Sequence, residues 1–287
     1  MNRSVTTRFA PSPTGYLHLG HAYSALFSHQ KAQQAGGRFL LRMEDIDVGR
    51  CRSEFHDAIL EDLAWLGLTW EGPVRRQSEH MAVYANALHR LRERALLYPC
   101  FCSRREIAEE IAASASAPHG PDGPHYPGTC RTMDPQVRRE RLDRGDPHAL
   151  RLDMQQAIHQ AGILGWSDAE QGDQVARPEI FGDVVLARRD VATSYHLSVT
   201  VDDHLQGVTL VTRGTDLFEA SHVHRLLQAL LDLDRPLYHH HRLLVGTDGK
   251  RFAKRDKSLT LRALREAGRT AEEVRTMALG QDRKETM

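Results

Sequence analysis

Apolar positions along the first hundred residues recur with two periods. Val5-Thr-Thr-Arg-Phe9 and Phe39-Leu-Leu-Arg-Met43 are short runs bounded by turn-forming residues, which reads as two strands. Between and after them the spacing changes to three and four. Residues 20 to 35 are rich in Ala, Leu and Tyr, and Phe55, Ile59, Leu63 and Leu66 share one face of a helix over residues 53 to 67. A further helix is predicted over residues 81 to 97, with Tyr84, Leu88 and Leu91 on its face. Strand, loop, helix, strand, helix in this order predicts a parallel α/β sheet.

The pattern then breaks. Residues 112 to 130, AASASAPHGPDGPHYPGTC, have no apolar period and read as an exposed loop. Strand-like runs return in HALRLDM, DVVLARRD and GVTLVTRG, a helix is expected over residues 216 to 232, and the basic turn GTDGKRFAKRDKS precedes a last helix over residues 259 to 267. No internal repeat is present. Composition adds bounds: of 287 residues 40% are hydrophobic, enough for a real core, and 38 Lys+Arg balance 38 Asp+Glu. A polybasic binder is excluded. A nucleic-acid partner is not, because recognition depends on where charges cluster. The chain has no apolar run of about 18 residues and no hydrophobic stretch at its start, so a soluble cytoplasmic protein with no membrane contact is expected.

Three segments carry chemistry. Arg8-Phe-Ala-Pro-Ser-Pro-Thr-Gly-Tyr-Leu-His-Leu-Gly-His21 is a strand end, a Pro/Gly turn and two imidazoles three residues apart at the opening of a helix. Helix N-termini attract phosphate, Gly15 and Gly20 let a ligand approach the backbone, and His18 and His21 could donate to one phosphate. Lys250-Arg-Phe-Ala-Lys-Arg255 is a basic loop of the kind that follows charge on transferring phosphates, or else a solvated charge run. Cys100, Cys102 and Cys130 offer three thiolates to a tetrahedral metal, provided that a turn prevents the C-x-C side chains from diverging. His119 and His125 are ordinary candidates for a fourth ligand. Cys51 has no evident role, and His239-His240-His241 reads as an extended segment beside a site.

RFAPSPTGYLHLGH resembles the signature of class I aminoacyl-tRNA synthetases in the form used by the glutamyl branch. RMEDID (42 to 47), VDDHLQGVTLVTRGTDL (201 to 217) and GKRFAKRDKS (249 to 258) follow where that branch has its other motifs. The resemblance implies a Rossmann-type doubly wound parallel sheet with an inserted zinc-binding segment and a small helical stem-contact region. It implies ATP-dependent activation of L-glutamate, with Mg²⁺ assisting, and catalytic roles for His18, His21 and Lys254, which with Gly20 would also bind ATP. Glutamate would meet Arg8, Phe9, Ala10, Pro11, Ser12, Glu44, Tyr195 and Arg213. The types fit a substrate with two carboxylates and one ammonium: arginines for carboxylates, Glu44 for the ammonium, and Ser12 and Tyr195 as hydroxyl partners. Taken singly, Glu44 could equally be a surface ion pair of Arg42, and Arg213 a strand-end pair of Asp216. The lysine loop departs from the family, since Arg251 replaces its first lysine and Ala253 its serine.

In one truncated subgroup of the branch a single structural zinc is held by C-x-C with a Tyr and a Cys four apart, which corresponds to Cys100, Cys102, Tyr126 and Cys130. The expected layout is 1–97 first half of the catalytic domain, 98–147 zinc-binding insertion, 148–240 second half, and 241–287 lysine loop and helical region. With 33 residues after Lys254, no anticodon-binding domain is expected. The resemblance therefore points to a monomer that transfers glutamate to queuosine in the anticodon loop of tRNA(Asp), with Arg188, Arg189 and Arg242 as candidate phosphate contacts. The alternatives are a fragment that charges a tRNA 3′ end and a binding module without catalysis.

Overall fold

A computed structural model describes residues 4–113, 119–244 and 260–280. Strand β1 (Thr6–Phe9) is wholly buried and leads through the Pro/Gly turn into α1 (Leu19–Gln34), which returns the chain to β2 (Arg38–Met43). β1 and β2 pair in parallel from Thr6↔Arg38 to Phe9↔Leu41. The return turn is tight: a Cβ on Gly37 would lie 2.0 Å from the Val5 carbonyl oxygen, so only glycine fits. Helix α2 (Ser53–Trp65) then leads to the short β3 (Arg75–Arg76), parallel to β2. Helix α3 (Met81–Glu93) stops before the predicted end at residue 97. Ala95 adopts φ 55° and turns the chain, so that Leu97 begins β4 (Leu97–Cys100).

Residues 112–130, expected to be a loop, hold the end of α4 (Arg104–Ala113) and a minimal hairpin of β5 (His119–Gly120) and β6 (Gly123–Pro124); beyond them comes α5 (Pro135–Asp143), which Asp134 caps. β7 (Ala149–Leu152) follows and pairs antiparallel with β4. Next come α6 (Met154–Ala161), the hairpin of β8 (Gly165–Asp168) and β9 (Gly172–Val175), and β10 (Val185–Ala187), which completes a β10-β7-β4 antiparallel sheet. Helix α7 (Tyr195–Leu205) leads to β11 (Leu210–Gly214), and α8 (Ala220–Leu230) connects it to the parallel β12 (Leu237–His241). After residue 260, α9 (Leu261–Glu266) and a second helix that the periodicity did not single out, α10 (Ala271–Leu279), place Leu261, Leu264, Val274 and Ala278 in the same core as α1, β1, β2 and α2.

β1 lies beside β11: Thr209 N–H donates to Thr6 O at 3.0 Å, and the Thr209 hydroxyl accepts from Thr6 N–H at 2.8 Å. The sheets β3-β2-β1 and β11-β12-β8-β9 thus lie side by side, joined at β1 and β11 by these two bonds rather than by a strand ladder. From β1 the chain first builds outward to β2 and β3, then comes back to add β11 and β12 on the other side. This is the doubly wound arrangement that the resemblance implied, and its switch point lies between β1 and β11. In such sheets ligands bind beyond the carboxyl ends of the strands at that crevice.

Candidate active site

The loop leaving β1 delivers His18 to the N-cap of α1. The His18 Nδ1 accepts from Gly20 N–H at 3.1 Å, and His21 Nδ1 accepts from His18 N–H at 3.2 Å, a reciprocal capping box built from two imidazoles. Since both Nδ1 atoms accept, a neutral ring in either position carries its proton on Nε2. The rings stack with centroids 3.8 Å apart. A Cβ on Gly20 would lie 3.1 Å from His18 Cε1, so glycine keeps room for the imidazole above the helix start. His18, Gly20 and His21 line a cavity of about 250 Å³ with Gly214, Asp216 and His241 from the ends of β11 and β12. Leu244 also lines it, and Thr260 bridges to His18. Lys254, Arg251 and Ala253 lie outside the described residues.

A second cavity, of about 450 Å³, opens beyond β2 and is lined by Ser12, Thr14, Glu44, Gln77, Tyr195 and His196 among others. Glu44 is set there by its N–H bond to Pro11 O at 3.0 Å, which ties the end of β2 to the loop after β1. Arg42 bonds Glu44 at 3.2 Å, but the pair is not on the surface: Arg42 is fully buried and also bonds Asp203 at 2.8 Å. Burial pushes the Glu44 carboxyl up, against the opposing pull of Arg42 and Arg8. Burial likewise raises the Tyr195 phenol.

Arg8 and Arg213 are buried, and the charge of each acts on the Tyr195 phenol of this cavity. Arg8 forks onto Asp203, with Nε at 2.9 Å and Nη2 at 3.3 Å, and donates to Thr212 O at 3.0 Å. Burial opposes ionisation of Asp203, yet Arg8 and Arg42 hold its carboxyl below the usual range. Arg75, Gln77 and Tyr84 converge on Asp202. Arg213 has a different setting: it donates to His240 Nε2 at 3.1 Å, His224 Nδ1 at 3.1 Å and Ser221 Oγ at 2.6 Å. It does not pair with Asp216. Phe9 is a core residue, and Ala10 and Pro11 shape the loop that carries Ser12.

The cysteines converge because β4 ends at Cys100, so Cys102 lies past the strand and its side chain swings back. The three sulfurs lie within 4.8 Å of one another, with Cys102 and Cys130 3.4 Å apart. Tetrahedral zinc with bonds of about 2.3 Å would separate its sulfurs by roughly 3.8 Å, so the donor set fits that ion. Tyr126 Oη is 3.4 Å from Cys102 Sγ and accepts from Cys130 N–H at 2.8 Å. The His125 ring instead bonds Ile180 O at 2.7 Å. Burial pushes the metal-free Cys102 thiol up to about 12.

Ser12, Glu44 and Tyr195 therefore line one cavity and His18, Gly20 and His21 another, while Arg8 and Arg213 are buried and line neither. Sequence reasoning missed Asp203, His224 and His240, which set the two arginines. The available signal was the paired acid in VDDHL and the histidine triplet on a strand. Arg189 donates to Phe101 O and Cys102 O, and Arg188 is shared by Asp190 and Asp47 at 3.2 Å.

Over residues 4–279 the chain matches the family described as tRNA synthetases class I (E and Q), catalytic domain, and it belongs to that family of ligases. Among its relatives, the glutamyl-Q tRNA(Asp) synthetase of Rhodobacter capsulatus is 51% identical, the match covering 95% of this chain and 99% of the relative. The protein of that name in Symbiobacterium thermophilum is 43% identical over 93% of this chain and 83% of its own length. The crystal structure of a glutamate tRNA ligase from Elizabethkingia meningosepticum in complex with its amino acid superposes with TM-score 0.74 at 27% identity, covering 88% of this chain and 52% of that one. The chain thus spans about half the length of that ligase. No helix among the described residues is long and apolar enough to cross a membrane.

Proposed function

We propose that the protein activates L-glutamate with ATP and transfers it to queuosine in the anticodon loop of tRNA(Asp). The observation that carries this reading is the pairing of two sites beyond the carboxyl ends of the strands: a cavity lined by the two imidazoles of a helix N-terminus, and a cavity lined by Glu44, Ser12 and Tyr195, whose phenol feels the charge of Arg213, an arginine with no ion pair among the described residues. The names of the relatives supply the acceptor.

In the first step the α-carboxylate of glutamate attacks the α-phosphorus of ATP in line, releasing pyrophosphate. No protein nucleophile is required, so positioning and charge stabilisation dominate. His18 and His21 donate through Nε2 to the nucleotide phosphates, Gly20 lets them approach the α1 N-terminus, and Lys254 follows the charge that develops on them. Glu44 takes the substrate ammonium, Ser12 and Tyr195 donate hydroxyls, and Arg8 and Arg213 supply positive potential for the carboxylates. In the second step a hydroxyl of the queuosine ring attacks the mixed anhydride and AMP leaves.

The base has to leave the loop stack to reach the cavity. A groove of about 900 Å³ continues from the glutamate cavity through Asp47, Arg50 and Arg188 and would admit it. Cys100, Cys102 and Cys130, with Tyr126, would hold a structural zinc that clamps the insertion. Mg²⁺ would neutralise phosphate charge. A cytoplasmic monomer completes the reading. The test is transfer of labelled glutamate to tRNA(Asp) with and without queuosine: label only in the modified tRNA is expected, and label in tRNA(Glu) would overturn it in favour of 3′-end charging.

A further inference from the structure

We infer that Asp168 and His240 are positioning residues that hold Arg213 as a buried cation whose charge is left for a substrate carboxylate. This rests on the glutamate reading above and deepens it, because it says how one arginine is reserved for substrate while its neighbour is not.

Hydrogen bonding fixes each proton along the chain of groups. Asp168 Oδ1 accepts from the backbone N–H of Glu170 at 2.9 Å and of Gln171 at 3.0 Å, and Oδ2 accepts from His240 N–H at 3.1 Å. Held by three backbone donors, this carboxylate is acceptor only, and burial is outweighed by those bonds, which keep it below the usual range. At the 2.7 Å contact between Asp168 Oδ2 and His240 Nδ1 the imidazole is therefore the donor. Its Nε2 lone pair then faces Arg213 Nε at 3.1 Å, a geometry imposed by the direct Arg213↔His240 register of β11 and β12. Phe218 and Trp166 wall the ring at centroid distances of 4.9 and 5.9 Å.

On the far side the same logic sets two more rings. His224 Nδ1 accepts from Arg213 Nη1, so its Nε2–H donates to His196 Nδ1 at 3.1 Å, and His196 lines the glutamate cavity. Burial and then the Arg213 charge push the His240 imidazole down to about 4 and the His224 imidazole well below its ordinary value, so both stay neutral.

The consequence is electrostatic. Three of the five guanidinium N–H groups of Arg213 are satisfied by two neutral rings and a hydroxyl, and the other two have no hydrogen bond among the described residues. Asp168 lies one ring away: it fixes the His240 tautomer without occupying the guanidinium fork. A direct carboxylate partner would compete with substrate for that fork.

The experiment is glutamate-dependent ATP–pyrophosphate exchange on the full chain. Asp168→Asn, which forces donors against donors, and His240→Phe, which removes the acceptor, are expected to raise KM for glutamate by about tenfold to a hundredfold with KM for ATP nearly unchanged. His240→Gln, whose amide oxygen reaches the Nε2 position, should recover most of the loss. An unchanged KM for glutamate, or equal rises for both substrates, overturns the assignment.

Folding of the variants does not limit the test. Long-range proton–nitrogen NMR on the wild-type protein should find the Nδ1–H tautomer at His240 and Nε2–H at His224, and the opposite tautomer at either overturns it. A wild type that exchanges with no glutamate would sink the glutamate reading itself, and the tautomers would still decide the setting of Arg213.

Discussion

Arg8 and Arg213 occupy neighbouring strands, β1 and β11, each with 5% of its surface exposed, and they are held in opposite ways. Around Arg8 the charges close: Arg8, Arg42 and Arg75 interleave with Glu44, Asp202 and Asp203, three cations against three carboxylates. Around Arg213 they do not, because its acceptors are two neutral imidazoles and a serine. A closed buried network specifies geometry and costs most when one member is removed. An open one attracts an anion. The first is closed within the fold and the second is left open, although residue type and burial are the same.

Asp203→Ala should break the closed side hardest, because it leaves Arg8 and Arg42 facing each other without their shared carboxylate. A loss of about 3–5 kcal/mol in urea unfolding is expected. Arg213→Met is the matching change on the open side. It removes an unpaired cation and leaves His224 and His240 without a donor, so stability should stay within about 1 kcal/mol, while kcat/KM for glutamate falls by about a hundredfold or more. If the two variants exchanged these phenotypes, the division of labour would be refuted.

How much of this was legible beforehand follows from the range over which each signal acts. Strand β1, the Pro/Gly turn and the His18/His21 pair are encoded within a few residues, and they lie where the sequence puts them. The charge types of Arg8, Glu44 and Arg213 were also readable. Their compensation was not, because Arg8 meets Asp203 across 195 residues, and no spacing rule reports such a pairing. His239-His240-His241 reads as an extended segment and does form most of β12, but its burial was hidden for a related reason. LYHHH looks polar, yet its last four residues are buried, since His239 finds Glu170, His240 finds Asp168 and His241 finds Ser24. The C-x-C motif carried the opposite ambiguity, and the end of β4 at Cys100 resolved it.

The cysteine cluster offers a third way of handling charge. Burial pushes the Cys102 thiol up to about 12, whereas at Cys130 burial is outweighed by hydrogen bonds from Tyr126 and Phe101 N–H that hold the thiol below its ordinary value. Protonation is thus unevenly divided, and a bound ion would displace the protons that remain. One zinc per chain by elemental analysis is expected, falling to near zero in Cys130→Ser along with increased proteolysis of the insertion. A chain fully active without metal would remove the proposed clamp. Smaller effects are expected at the nucleotide end. His21→Ala should lower kcat for exchange by about tenfold to a hundredfold and leave KM for glutamate alone, since the role proposed for its Nε2–H is donation to the nucleotide phosphates. It should also weaken the start of α1 by about 1 kcal/mol, through loss of half the capping box.

Asp62 is the anionic counterpart of Arg213 and sharpens the comparison most finely. It is fully buried on α2, neither carboxylate oxygen has a hydrogen bond among the described residues, and Arg265 of α9 comes no nearer than 3.9 Å. Burial pushes its carboxyl up from the ordinary value to about 6, with Arg265 only partly offsetting it. The sign of the pH effect follows. Between about pH 4 and pH 6 the folded chain binds a proton that the unfolded chain does not, so this group favours folding at the acid end and loses that contribution as pH rises through 6. Asp62→Asn should flatten the slope and raise stability at pH 8 by about 1 kcal/mol, read from urea unfolding at pH 5 and pH 8. A wild-type slope unchanged by the substitution would mean that Arg265 neutralises Asp62 as fully as Asp203 neutralises Arg8. An open charge would then be peculiar to Arg213, where a substrate carboxylate can close it.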